Sequence, residues 1–301
     1  MALVAWAAST GRAQPSTLKA WAWVLAFALV DAAAFQGCLA EGLTRTSAGL
    51  GSVIIDSQPL SVAVLAALLF GERLSGVGVA GLLLGVAGLG LLEVPGDSIG
   101  DAAQLVLSGE WRPQLPGADG GSPLDSGELW MLMAAQSMAV GTVMVRYVTK
   151  HVDPIMATGW HMVIGGAVLA AAAASAGLDH DTTAAPASAA AGSAVTATDL
   201  VASLSAQLSQ LTPADAVAMT YVSMLGGAAS YGIFFYFASR GSLTSLSSLT
   251  FLTPIFASAA GYVALGEVLS PLQLLGGAVT LAAVGCINYR PQAPGQSNPD
   301  L

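Results

Sequence analysis

The sequence is poor in charge. Only 9% of its 301 residues are Asp, Glu, Lys or Arg, against about a quarter in an ordinary soluble chain. A water-facing globule of this size needs more, so a soluble fold is excluded. Basic residues are scarcest, with nine Lys and Arg against eighteen Asp and Glu and a formal charge of −9. Scattered cations make no basic patch, which excludes nucleic acid as a partner. Cysteine is nearly absent. Cys38 and Cys286 both fall inside apolar runs, so neither a disulfide framework nor a Cys/His metal cluster can be assembled. No P-loop, Gly-x-Ser-x-Gly or zinc-ligand spacing occurs. No catalytic residue, cofactor or metal is therefore assigned, the chain is not read as an enzyme, and an ATP-driven pump is disfavoured.

What the chain has instead is apolar length. Hydrophobic residues make up 54% of it, and the mean hydropathy is +0.70. The runs Lys19–Ala40, Thr46–Phe70, Gly76–Val94, Glu128–Val148, Pro154–Ala176, Ala214–Ala238, Leu243–Leu265 and Pro271–Asn288 are each long enough to cross about 30 Å of hydrocarbon. In lipid each must satisfy its own backbone, so each is expected to be a helix. Met1–Ala8 is apolar but too short to span and reads as the tail of a helix. Residues 96–127 form an acidic Gly/Pro-rich loop, residues 177–213 a low-complexity loop, and residues 290–301 a polar tail. The glycines of Gly76–Val94 and Pro271–Asn288 permit close helix approach.

Two stretches repeat one pattern. Glu72 follows Pro59 by 13 positions, and Glu267 follows Pro254 by the same 13. In that register Ser75 matches Ser270, Gly81 matches Gly276 and Arg45 matches Arg240. The pattern argues for a duplication, with residues 1–95 as the first copy and 128–289 as the second. Threaded alternately, the spans place Arg12, Lys19, Arg73, Arg146, Lys150, Arg240 and Arg290 on one face, and only Arg45 and Arg112 on the other. That asymmetry marks the first face as cytosol-equivalent. Glu72 and Glu267 then fall on opposite faces, so the copies are inverted, a recurrent arrangement in secondary transporters.

The segments SQPL…LFGERLS and LTPI…ALGEVLS resemble the two EamA repeats of the drug/metabolite transporter superfamily. DAAAFQGCLAEGLTRTSAGLGSVIIDSQPL, AAQSMAVGTVMVRYV and DPIMATGWHM resemble its plastid-type plant, algal and cyanobacterial branch, related to the walls-are-thin protein. The resemblance implies an all-α polytopic membrane protein, an inverted-repeat helical bundle. The chain would supply eight full transmembrane helices plus an N-terminal fragment of a ten-helix fold. A plastid envelope location is implied in the same way.

Ionisable and polar residues inside spans are the candidate site. Asp31 and Asp56 sit mid-span, where a carboxylate is disfavoured by roughly 2.5–3.5 kcal/mol. Their repeat counterparts are Gly226 and Phe251, so the charges break the symmetry. Each is either a substrate- or proton-binding group or a polar link between helices. Gln58, Gln136, His161 and Tyr231 are further candidates. His161 follows Trp160 in the first third of its helix, which points to an interfacial anchor. Pro59 and Pro254 each remove a backbone donor mid-span and are candidate hinges. Glu72 with Ser75, and Glu267 with Ser270, are read as structural hairpin caps for the helices that follow them.

The expected function is secondary transport of small polar metabolites by alternating access, with protons as the candidate coupling ion. The partners are a small-molecule substrate, the lipid bilayer and, as an open reading, a second copy in a homodimer. The alternative is a non-transporting structural or regulatory multi-pass protein derived from a transporter fold.

Overall fold

The computed structural model describes residues 1–93, 122–176, 212–266 and 270–289, with the single positions 100, 104 and 108 between. Glu267, the 290–301 tail and nearly all of the two long loops lie outside the described residues. Among the described residues there is no strand. The helices are α1 Ala2–Ser9, α2 Leu18–Leu43, α3 Ala48–Phe70, α4 Gly76–Glu93, α5 Gly127–Val148 and α6 Pro154–Ala176. They continue with α7 Pro213–Ala238, α8 Leu243–Ala264 and α9 Pro271–Asn288. Among the described residues eight of these, α2 to α9, are long and apolar enough to cross a membrane. The expected spans are thus found within a few residues of their expected ends.

Helix boundaries recur in the register of the sequence repeat. Elements recur 195 positions apart, the separation of Pro59 from Pro254. In that register Leu18 and Pro213 both begin a helix, and both helices widen into a π-turn, at Ala28–Ala34 and Val222–Ala229. Normal α-helix resumes at Phe35 and at Ser230. The segments Gln58–Phe70 and Thr253–Leu265 begin and end in register, and so do α4 and α9. Both segments end on a left-handed glycine, Gly71 at φ 66° and Gly266 at φ 70°. A side chain there would clash with its own backbone, so glycine is required.

The prolines loosen their helices as their missing donors require. α3 breaks at Ser57, between Ala48–Asp56 and Gln58–Phe70, with Pro59 in the first turn after the break. α8 tightens into a 3-10 turn over Leu249–Leu252, just before Pro254.

The helices fall into two compact units, each drawing on both copies of the repeat. The first contains residues 1–37 and 144–240, the second residues 38–143 and 241–301. In the second unit α4 and α9 pack along most of their length. A Cβ on Gly88 would lie 2.9 Å from the Thr280 nitrogen, and one on Gly276 would lie 2.8 Å from the Gly88 oxygen. The glycines therefore let the backbones touch, and Phe251 fills the space beside Gly85. Ala63, Leu82, Leu89, Phe251 and Ile287 form that unit's apolar centre.

Candidate functional site

In the first unit the π-turn of α2 carries Asp31. An extra residue in the turn widens the helix, a distortion common where a side chain must be re-aimed. α6 lies hard against this turn, since a Cβ on Gly165 would be 3.2 Å from the Ala28 oxygen. The close approach brings His161 of α6 to Asp31. Nε2 of His161 is 3.2 Å from Oδ2 of Asp31. Nδ1 is 2.6 Å from the carbonyl oxygen of Thr158. Asp31 is 2% exposed and His161 1% exposed. Phe27 stacks on the imidazole with ring centroids 4.2 Å apart, and Phe235 meets it edge-on at 5.6 Å. Oδ1 of Asp31 has no hydrogen-bond partner among the described residues. Tyr231, half-buried on α7, lies near Asp31 and Gln36 of α2.

In the second unit Asp56 is half-buried and closes the helical segment before the Ser57 break. Glu93, at the end of α4, is close enough to act on it electrostatically and lies near Ser52. Asp56 thus has a second carboxyl group, that of Glu93, as its neighbour. Gln58, 1% exposed, donates from Nε2 to the Thr142 hydroxyl at 3.1 Å. Its Oε1 has no hydrogen-bond partner among the described residues.

The structure corrects one assignment and extends another. His161 is not an interfacial anchor, because it is buried and bonded to Asp31. Its neighbour Trp160 has that character, half-buried and donating from Nε1 to Gln14 at 2.8 Å. Glu72 does cap a helix, and the helix start its carboxylate reaches is that of α8. Its carboxylate accepts from the Leu243 amide at 3.0 Å and the Ser242 hydroxyl at 3.0 Å. It also accepts from the Thr244 hydroxyl at 3.2 Å. The reason is electrostatic: free N–H groups at a helix start attract a carboxylate, and the Gly71 turn aims Glu72 at a start 170 residues away.

Ser75 caps α4 through the Gly78 amide, and Ser270 forms a full capping box with Gln273. Gln136 is exposed and joins neither group. Sequence reasoning missed Glu93, Thr142, Phe27 and Phe235. Glu93 was legible only as a helix end, and the aromatics only as apolar filler. Among the described residues no three His, Cys, Asp or Glu side chains could hold a metal ion. Two cavities of about 360 and 480 Å³ flank α1 and α7, lined mainly by apolar side chains. Neither is lined by Asp31 or His161.

Membrane-spanning helices in register, π-turned and proline-broken at matched places, with ionisable groups buried inside them, define a polytopic membrane protein of the transporter type. The profile of the EamA-like transporter family matches residues 1–94 and 125–289, and the chain belongs to that family. It is 52% identical to a chloroplastic WAT1-related protein of Arabidopsis thaliana over 95% of its own length and 59% of that protein's. It is 46% identical to an uncharacterized transporter of Synechocystis over 95% of its own length and 77% of that protein's. A solved crystal structure aligns with a TM-score of 0.62 at 15% identity, covering 89% of this chain and 75% of that one. That likeness speaks for the fold alone. The family and these relatives point to transporters rather than enzymes, and the chain is an integral multi-pass membrane protein.

Proposed function

We propose that this chain works as a secondary transporter of small polar metabolites, by alternating access of its two sequence-related halves, in the plastid envelope. The observation that carries the reading is the burial of Asp31 and His161 inside spans of a duplicated bundle. Ionisable groups at such depth are costly, and they commonly mark ion or substrate paths. Family membership supports transport, and the name of the Arabidopsis relative supports the plastid. Asp56, Gln58 and Tyr231 are the further candidates for cargo or proton contact, and Pro59 and Pro254 for hinges. The chain spans 59% of the Arabidopsis relative, so the activity is proposed for this chain on its own residues.

The test is uptake of a pooled metabolite mixture into proteoliposomes, comparing wild type with Asp56→Asn. The expected result is accumulation of at least one solute, reduced at least tenfold in the variant and with altered pH dependence. Unchanged uptake and unchanged pH dependence would remove Asp56 from the mechanism. No uptake of any solute would favour the non-transporting alternative.

A further inference from the structure

We infer that Asp31 and His161 form a one-proton site, and that loss of the proton drives α2 and α6 apart at the π-turn. The pairing is an observation of the first unit alone. Its role in coupling rests on the transport reading above, while the proton site itself does not.

The proton count follows from donors and acceptors. A carbonyl oxygen can only accept, so the 2.6 Å contact between Nδ1 and the Thr158 oxygen requires a hydrogen on Nδ1. A neutral imidazole then presents a bare lone pair at Nε2. Oδ2 of Asp31 lies 3.2 Å from that atom. Two lone pairs do not hold such a contact, so one further proton must lie between them. Either a neutral carboxylic acid donates to Nε2, or an imidazolium donates to a carboxylate. Both forms are neutral overall. Removing the proton leaves a net charge of −1 and two acceptors facing each other.

The surroundings make that state untenable. The pair is almost fully shielded from solvent, and rings of Phe27 and Phe235 cover the imidazole. Among the described residues the titratable groups that face Asp31 are His161 from α6 and Tyr231 from α7. Arg12, between α1 and α2, is bonded at 2.8 Å to Asp153, next to the start of α6. No described cation is positioned to replace the proton. An unpaired buried charge is strongly disfavoured, so the contact must open. Gly165 leaves no slack between α6 and Ala28 or Ala32. The slack is in the π-turn, whose wider ring can tighten to an α-turn.

The experiment is solid-state NMR on the full chain in lipid nanodiscs, with ¹⁵N-His and ¹³Cγ-Asp labels. It measures the His161 nitrogen shifts and the His161–Asp31 dipolar distance from mildly acid to mildly alkaline pH. Asp31→Asn assigns the pair. Its amide can still donate to Nε2, which keeps a hydrogen bond without a titratable proton. The expected result is a single-proton transition in wild type, with the pair separating as the proton leaves. In Asp31→Asn the His161 signal stays that of a neutral, Nδ1-protonated ring throughout. If that variant fails to fold, His161→Gln replaces it, with the Asp31 ¹³Cγ shift as the reporter. A pair that keeps its distance and its proton across the range overturns the inference, and so does a His161 that titrates identically in Asp31→Asn.

Uptake driven by a pH gradient separates the two readings. A pair that titrates and opens in a chain that transports nothing sinks the transport reading and leaves the site standing. Transport with an unchanged pair sinks the site and leaves transport standing.

Discussion

Asp31 and His161 meet although 130 residues separate them. Each is legible in the sequence as an ionisable group at bilayer depth. Their pairing is not, because no spacing rule links residues on helices so far apart, and Trp160 beside His161 argued for the membrane interface. The same gap hid Thr142 behind Gln58. Breaking a buried pair by removing one partner costs about 3–5 kcal/mol. His161→Leu should therefore lower the melting temperature in detergent markedly. Asp31→Leu combined with His161→Leu should recover most of that loss, because no lone charge then remains. A double variant as unstable as His161→Leu would mean that the pair contributes through packing rather than through charge.

At the scale of elements, proline was the informative residue. Pro59 and Pro254 announced the breaks at Ser57 and Leu249–Leu252, since a missing donor acts locally. Glu72 was legible as a cap, but the distant helix start its carboxylate reaches was not. Its contacts to Ser242, Leu243 and Thr244 join residues of the first copy to a helix of the second. Losing such a cap costs about 1–2 kcal/mol. Glu72→Ala should speed hydrogen exchange in the first turn of α8 and leave the first turn of α4, capped by Ser75, unchanged. Faster exchange at α4 with none at α8 would restore the local hairpin assignment.

At the scale of the whole molecule the sequence was most informative. Span number, helical class and family all rest on composition, run length and the repeated G-E-x-x-S hairpin, which are properties of the chain rather than of tertiary contact. What composition does not carry is how helices group, and each compact unit takes elements from both copies. The account depends on the two copies threading the bilayer in opposite senses, without which alternating access between equivalent halves has no basis. Sided cysteine labelling measures this directly. Arg73→Cys and Ser270→Cys are each placed in a background with Cys38 and Cys286 changed to serine, and oriented vesicles are treated with a membrane-impermeant maleimide. The account predicts that the two positions label from opposite faces. Labelling of both from one face would contradict it.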